Sequence, residues 1–237
     1  MDFALSANQE SIRDAVGKIC SRFDDAYWLK KDKEGGYPAD FHRALADAGW
    51  LGICIPEEYG GSGLGITDAA IMMRTIAESG AGMSGASAVH MNVFGLNPVV
   101  VFGTKEQCTR MLPPIIDGRD KSCFAVTEPN TGLNTTQLKT RAVRKGDKYI
   151  VNGQKVWIST AQVANKILLL ARTADRDPAR RRSDRRDHVR RQQTGRHTAT
   201  IHPRVRSQYA LAFFCGWQVA GLRFSAGLAE RRIPAFE

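Results

Sequence analysis

The chain has 237 residues, with 34 Lys and Arg against 24 Asp and Glu and 43% hydrophobic residues. That is enough apolar material for one domain, or two small ones, with a real core. Residues 1–172 carry 20 basic and 18 acidic side chains and residues 173–237 carry 14 and 6, which excludes a uniformly basic nucleic-acid binder but leaves room for a basic tail.

Met1-Asp2-Phe3 is acidic and lacks the basic start of an export signal. No run of 18 apolar residues is evident; the best, Tyr209 to Leu222, is interrupted by Gln218. Cys20, Cys54, Cys108, Cys123 and Cys215 show neither C-x-x-C nor zinc spacing. A cytoplasmic chain with reduced thiols, no membrane span and no metal site is therefore expected.

Ser6-Ala7-Asn8-Gln9 has the form of a capping box. Behind it Ile12, Ala15, Val16, Ile19, Cys20 and Phe23 fall on one face, predicting a helix over 7–23. Pro38 opens a second helix with Phe41, Ala44, Leu45 and Ala48 on its buried side, stopped by Gly49. The glycines and proline between Pro56 and Gly65 demand a loop. Thr67 is expected to cap a helix over 68–79, ending at Gly80, and 84–96 reads as another. Thr104-x-x-Gln107 is a second capping box, opening a short helix that Pro113-Pro114 closes.

From about residue 119 the pattern is that of strands: Ser122–Thr127, Gln137–Val143, a strand pair about an Asn152-Gly153 turn, and one buried strand over Lys166–Ala171. Helices followed by strands predict an α+β chain with two folded parts, an all-helical domain over 1–118 and a partial β domain over 119–172. A sheet ending at Ala171 would leave an unpaired edge open to aggregation.

Between Thr173 and Thr200 the only strongly apolar residue is Val189, and twelve arginines lie between Arg172 and Arg206. Residues 173–237 are accordingly expected to form a disordered, Arg-rich tail. An out-of-frame translation is the preferred reading; a basic arm for nucleic acid or anionic lipid and a plain solvated segment remain as alternatives.

Gly60–Gly65 lacks the G-x-G-x-x-G and P-loop spacings, so turn chemistry explains it better than phosphate binding. His42 and His90 lie in helical stretches without partner ligands and read as ordinary core or surface histidines. Thr127 stands at a strand end before Glu128-Pro129, and Trp157-Ile158-Ser159 follows thirty residues later. Side by side, those ends would offer an indole face and two hydroxyls to a flat heteroaromatic ring.

Five motifs in register extend this reading: Pro56-Glu57-Glu58-Tyr59-Gly60-Gly61-Ser62-Gly63, Phe102-Gly103-Thr104-Lys105-Glu106-Gln107, Leu112-Pro113-Pro114, Val126-Thr127-Glu128-Pro129 and Asn152-Gly153-Gln154-Lys155-Val156-Trp157-Ile158-Ser159. In order and spacing, over about residues 3–172, they resemble acyl-CoA dehydrogenases. The resemblance implies a helical N-terminal domain, a β-barrel-like middle domain and a C-terminal four-helix bundle, with FAD held between the last two and a partner subunit. It implies α,β-dehydrogenation of an acyl-CoA thioester, a carboxylate removing the α-proton while the β-hydrogen leaves as hydride to the flavin.

By that resemblance Phe124, Val126, Thr127, Gly132, Trp157, Ile158 and Ser159 are the cofactor-binding candidates. Leu133 stands where the family has a serine reaching substrate and cofactor, so Leu133 and Asn134, with Thr135 beside them, become the substrate-side candidates. Nothing in 173–237 resembles the bundle or supplies its glutamate base, so no catalytic residue is assigned and a fragment without turnover is expected. The family's homo-oligomers depend on that bundle. The alternative function is a non-catalytic helical interaction module with a basic, anion-binding arm.

Overall fold

The computed structural model describes residues 4–145, 148–173, 209–215, 222–226 and 229–231. Two units result, divided between Ser122 and Cys123.

The first unit is helical. Helix α1 (Ala7–Cys20) starts on the expected box, with the Ser6 hydroxyl accepting from the Gln9 amide and the Gln9 side chain accepting from the Ser6 amide. Its stripe buries Ile12, Val16 and Cys20. Helix α2 (Asp25–Glu34) has no periodic stripe; the Asp24 carboxylate caps it and Trp28 alone is buried. Around Trp28, Phe23, Tyr27 and Phe41 pack edge to face at centroid separations of 5.0–5.3 Å. Helix α3 (Ala39–Asp47) follows Pro38 and buries Phe41, His42, Leu45 and Ala46, while Ala48 lies outside the helix and is exposed. Gly49 supplies the left-handed turn at its end, with φ +79°.

The 56–65 loop is closed by its own backbone: the amides of Ser62, Gly63 and Leu64 donate to the carbonyls of Gly52, Ile55 and Ile53 at 2.9–3.0 Å. A Cβ on Gly61 would lie 2.0 Å from the Ile55 oxygen, so only glycine fits. Those amides have local backbone partners, as turn chemistry requires.

Helix α4 (Ile66–Ile76) starts two residues earlier than expected. Gly65 is its N-cap, and the Asp68 carboxylate, not Thr67, accepts the Gly65 amide at 3.1 Å. A π-turn with Gly80 at φ +93° leads to α5 (Gly82–His90), and a second π-turn leads to α6 (Asn97–Phe102). By length and mean hydropathy the run Ile66–Phe102 could cross a membrane, contrary to the sequence expectation. Half of its most apolar window is buried inside the protein. Helix α7 (Lys105–Met111) carries the Thr104–Gln107 box. Pro113-Pro114 stops it and then opens α8 (Pro113–Ile116), where missing amides at a first turn cost nothing.

The second unit is an open, curled half-barrel sheet. Its strands are β1 (Ser122–Ala125), β2 (Arg141–Lys145), β3 (Lys148–Val156), β4 (Lys166–Arg172), β5 (Tyr209–Cys215), β6 (Leu222–Ala226) and β7 (Ala229–Arg231). The order is β1-β4-β2-β3-β6-β7, with β5 also paired to β4. Strand β4 is buried throughout, as its apolar run demands.

Two expectations are corrected here. Asn152-Gly153 makes no turn: β3 runs straight through it, and its antiparallel register with β2 starts already at Lys145↔Lys148. Gly153 is needed because Thr140 lies against it, 2.2 Å from where a Cβ would sit. Strand β4 does not expose an open edge either, since β5 pairs with it from Lys166↔Cys215 to Arg172↔Tyr209. The disordered tail expected over 173–237 otherwise falls on residues outside those described; the parts that are described are Thr173 and strands β5 to β7.

Candidate functional site

The two predicted strand ends lie together. The Val156 amide donates to the Thr127 carbonyl at 2.9 Å, so Trp157 follows directly on a residue bonded to Thr127. Trp157 is 75% exposed with φ +59°, and Thr160 has φ +68°. They are the only non-glycine residues with positive φ among the described residues. Left-handed backbone at a bulky residue costs on the order of 1–3 kcal/mol and persists only where the surroundings impose it.

Those surroundings alternate. Ile158 is buried with Ala161 and Ala164 in the sheet core, whereas Trp157 and Ser159 are exposed. Ile158 thus anchors the connection that displays its two neighbours, and its side chain is not available to a ligand. On the other strand Thr127 is half-buried. Val126 packs on Leu138 and Leu170, and its carbonyl accepts from Lys155 Nζ at 2.8 Å. Phe124 is half-buried in β1 between core residues Cys123 and Ala125.

Beneath the strand ends is a feature the sequence did not reveal. Lys155 is wholly buried and Glu128 nearly so, with Nζ 2.9 Å from Oε1. The Glu128 carboxylate also accepts the amides of Lys139 at 2.6 Å and Thr140 at 2.9 Å. Burial pushes this carboxyl's pKa up, but hydrogen bonds from Thr140, Lys139 and Lys155 outweigh it and hold the pKa below the ordinary value. Burial lowers the Lys155 pKa against the pull of Glu128. The clue was parity: Val151, Gly153 and Lys155 share the inward side of β3, where a lysine needs a partner.

The 129–140 segment is tied at both ends. Glu128 and Thr131 exchange backbone hydrogen bonds across Pro129-Asn130, and buried Arg172 donates to the carbonyls of Thr136 and Leu138. Between them Leu133 is fully exposed, and Asn134 accepts from the Thr136 hydroxyl. A Cβ on Gly132 would meet nothing within 4 Å. The structure thus joins Thr127 with Trp157-Ile158-Ser159, and sets Gly132, Leu133 and Asn134 on a separate, anchored surface loop.

Both units resemble parts of known proteins. Residues 6–119 match the acyl-CoA dehydrogenase N-terminal domain and residues 123–200 match the acyl-CoA dehydrogenase middle domain. The second match extends beyond residue 172, where the resemblance read from the sequence ends. The chain is 32% identical over 177 residues to acyl-CoA dehydrogenase FadE12 of Mycobacterium tuberculosis, covering 73% of this chain and 44% of that protein. It is 30% identical over 171 residues to mitochondrial isovaleryl-CoA dehydrogenase of Bos taurus, covering 71% and 40%. Butyryl-CoA dehydrogenase from Megasphaera elsdenii superposes with a TM-score of 0.67 at 26% identity, over 74% of this chain and 46% of that one. The chain therefore spans less than half the length of these relatives. Its helical unit, half-barrel sheet and family matches together make it a member of the acyl-CoA dehydrogenase family of oxidoreductases.

Proposed function

We propose that this chain supplies the flavin-facing wall of an FAD-dependent acyl-CoA dehydrogenase acting on acyl-CoA thioesters. The observation that carries the reading is the exposed indole of Trp157, held in left-handed backbone directly after an amide bonded to Thr127. The residues suit a flavin: Trp157 offers an apolar face, Thr127 and Ser159 offer hydroxyls for a polar rim, and Ile158 fixes the connection from inside. FAD bound there would supply the acceptor for hydride leaving the β-carbon of the thioester.

The chain's own residues bind and orient; none described removes the α-proton. Glu128 is the only buried carboxylate among the described residues, and its oxygens are occupied by two amides and the Lys155 ammonium. It is a structural anion. We therefore assign the base to a carboxylate outside the described residues.

Equilibrium dialysis against FAD tests this reading. The chain should bind FAD weakly and saturably, with far less than one flavin retained per chain on purification, and Trp157→Ala should weaken binding at least tenfold. Equal binding by Trp157→Ala would overturn the assignment of the wall.

A further inference from the structure

The Glu128–Lys155 pair joins more of the chain than an ion pair requires. Lys155 Nζ donates both to Glu128 and to the Val126 carbonyl, while Glu128 gathers the amides of Lys139 and Thr140. Three segments converge on two buried side chains: the end of β1, the chain entering β2, and the end of β3. Glu128 follows Thr127 directly, and Lys155 precedes Trp157 by two residues. A buried ion pair is weak evidence for stability, since apolar replacements of similar volume often do as well. What such a pair provides is one fixed geometry, because each partner has directional hydrogen bonds to satisfy.

We propose that Glu128 and Lys155 are positioning residues: the pair locks the two strand ends in register and so imposes the left-handed conformation that displays Trp157. Neither is assigned contact with a ligand. The ligand arm of the test rests on the flavin reading above, whereas its ligand-free arm does not.

The informative variant is Glu128→Gln with Lys155→Met, which removes both charges and keeps a side-chain oxygen to accept one of the two amides that Glu128 gathers on its separate oxygens. Without FAD, the near-UV circular dichroism of Trp157 is obtained in each background by difference from a Trp157→Phe derivative. The expected result is at least a twofold loss of that signal in the pair variant, with the far-UV spectrum and cooperative unfolding retained. In FAD dialysis, the pair variant should weaken binding at least tenfold, and adding Trp157→Ala to it should cost less than a further twofold.

An unchanged Trp157 signal in a folded pair variant would overturn the proposal, and so would FAD losses that simply multiply. If Trp157→Ala leaves FAD binding unchanged in the parent, the flavin reading fails and the ligand-free signal alone decides the positioning role. Should the pair variant not fold, the milder Glu128→Gln carries the same comparison. Loss of fold there too would make the pair purely structural and end the proposal.

Discussion

At residue scale, two positions oppose each other in what they cost. Trp157 combines φ +59° with 75% exposure, so its side chain buries little while its backbone is strained. Trp157→Gly should therefore keep or raise the stability of the sheet unit, by up to about 1 kcal/mol in urea unfolding, while weakening FAD binding. Gly153 is the reverse case. Its absent Cβ would lie 2.2 Å from Thr140 Oγ1 and 2.7 Å from Thr140 Cα. Gly153→Ala should cost about 2 kcal/mol by the same measurement, since backbone as well as side chain must move. Asn-Gly between apolar residues is a strong turn signal, and it misled here because close approach requires glycine just as turning does. Thr127 could be read as a strand end because it closes the apolar run Phe124-Ala125-Val126 with a polar residue. Glu128 and Lys155 were not, because local sequence does not show which buried charges meet.

At the scale of elements, the legible helices were those with local instructions. The boxes at Ser6–Gln9 and Thr104–Gln107 form as read, and the stripe behind the first buries Ile12, Val16 and Cys20. Strand β4 was readable from its unbroken apolar run. Helix α2 was missed because packing, not periodicity, holds it: among its residues only Trp28 is buried, and the Trp28 indole donates to the Phe23 carbonyl at 3.1 Å. Trp28→Ala should cost about 3–5 kcal/mol. It should also strip hydrogen-exchange protection from α2 before α1, which has its own cap and three buried residues; equal loss in both helices would show α2 does not depend on that anchor.

At the scale of the whole molecule, acid acts on the two units through different groups. His42 in the helical unit is buried, and desolvation, with Lys121 and Arg43 nearby, lowers its pKa from 6.5 to about 4. Between those values the unfolded chain binds the proton and the folded one does not, so stability falls as pH drops from 6.5 toward 4, by at most about 3 kcal/mol. His42→Gln should flatten that slope in urea midpoints across the window. Glu128 also has a lowered pKa, so its contribution is present above the ordinary carboxylate value of 4.5 and is lost as pH falls below it. The sheet unit should hold its exchange protection through the range in which the helical unit weakens.

Trp157 and Thr127 must form one wall that faces a flavin if the chain is to serve a dehydrogenase in the way proposed. FAD-dependent quenching of tryptophan emission tests this directly, comparing the parent with Trp157→Phe. The parent should show saturable quenching and Trp157→Phe should lose most of it. Equal quenching in both would place any bound flavin elsewhere and contradict the assignment.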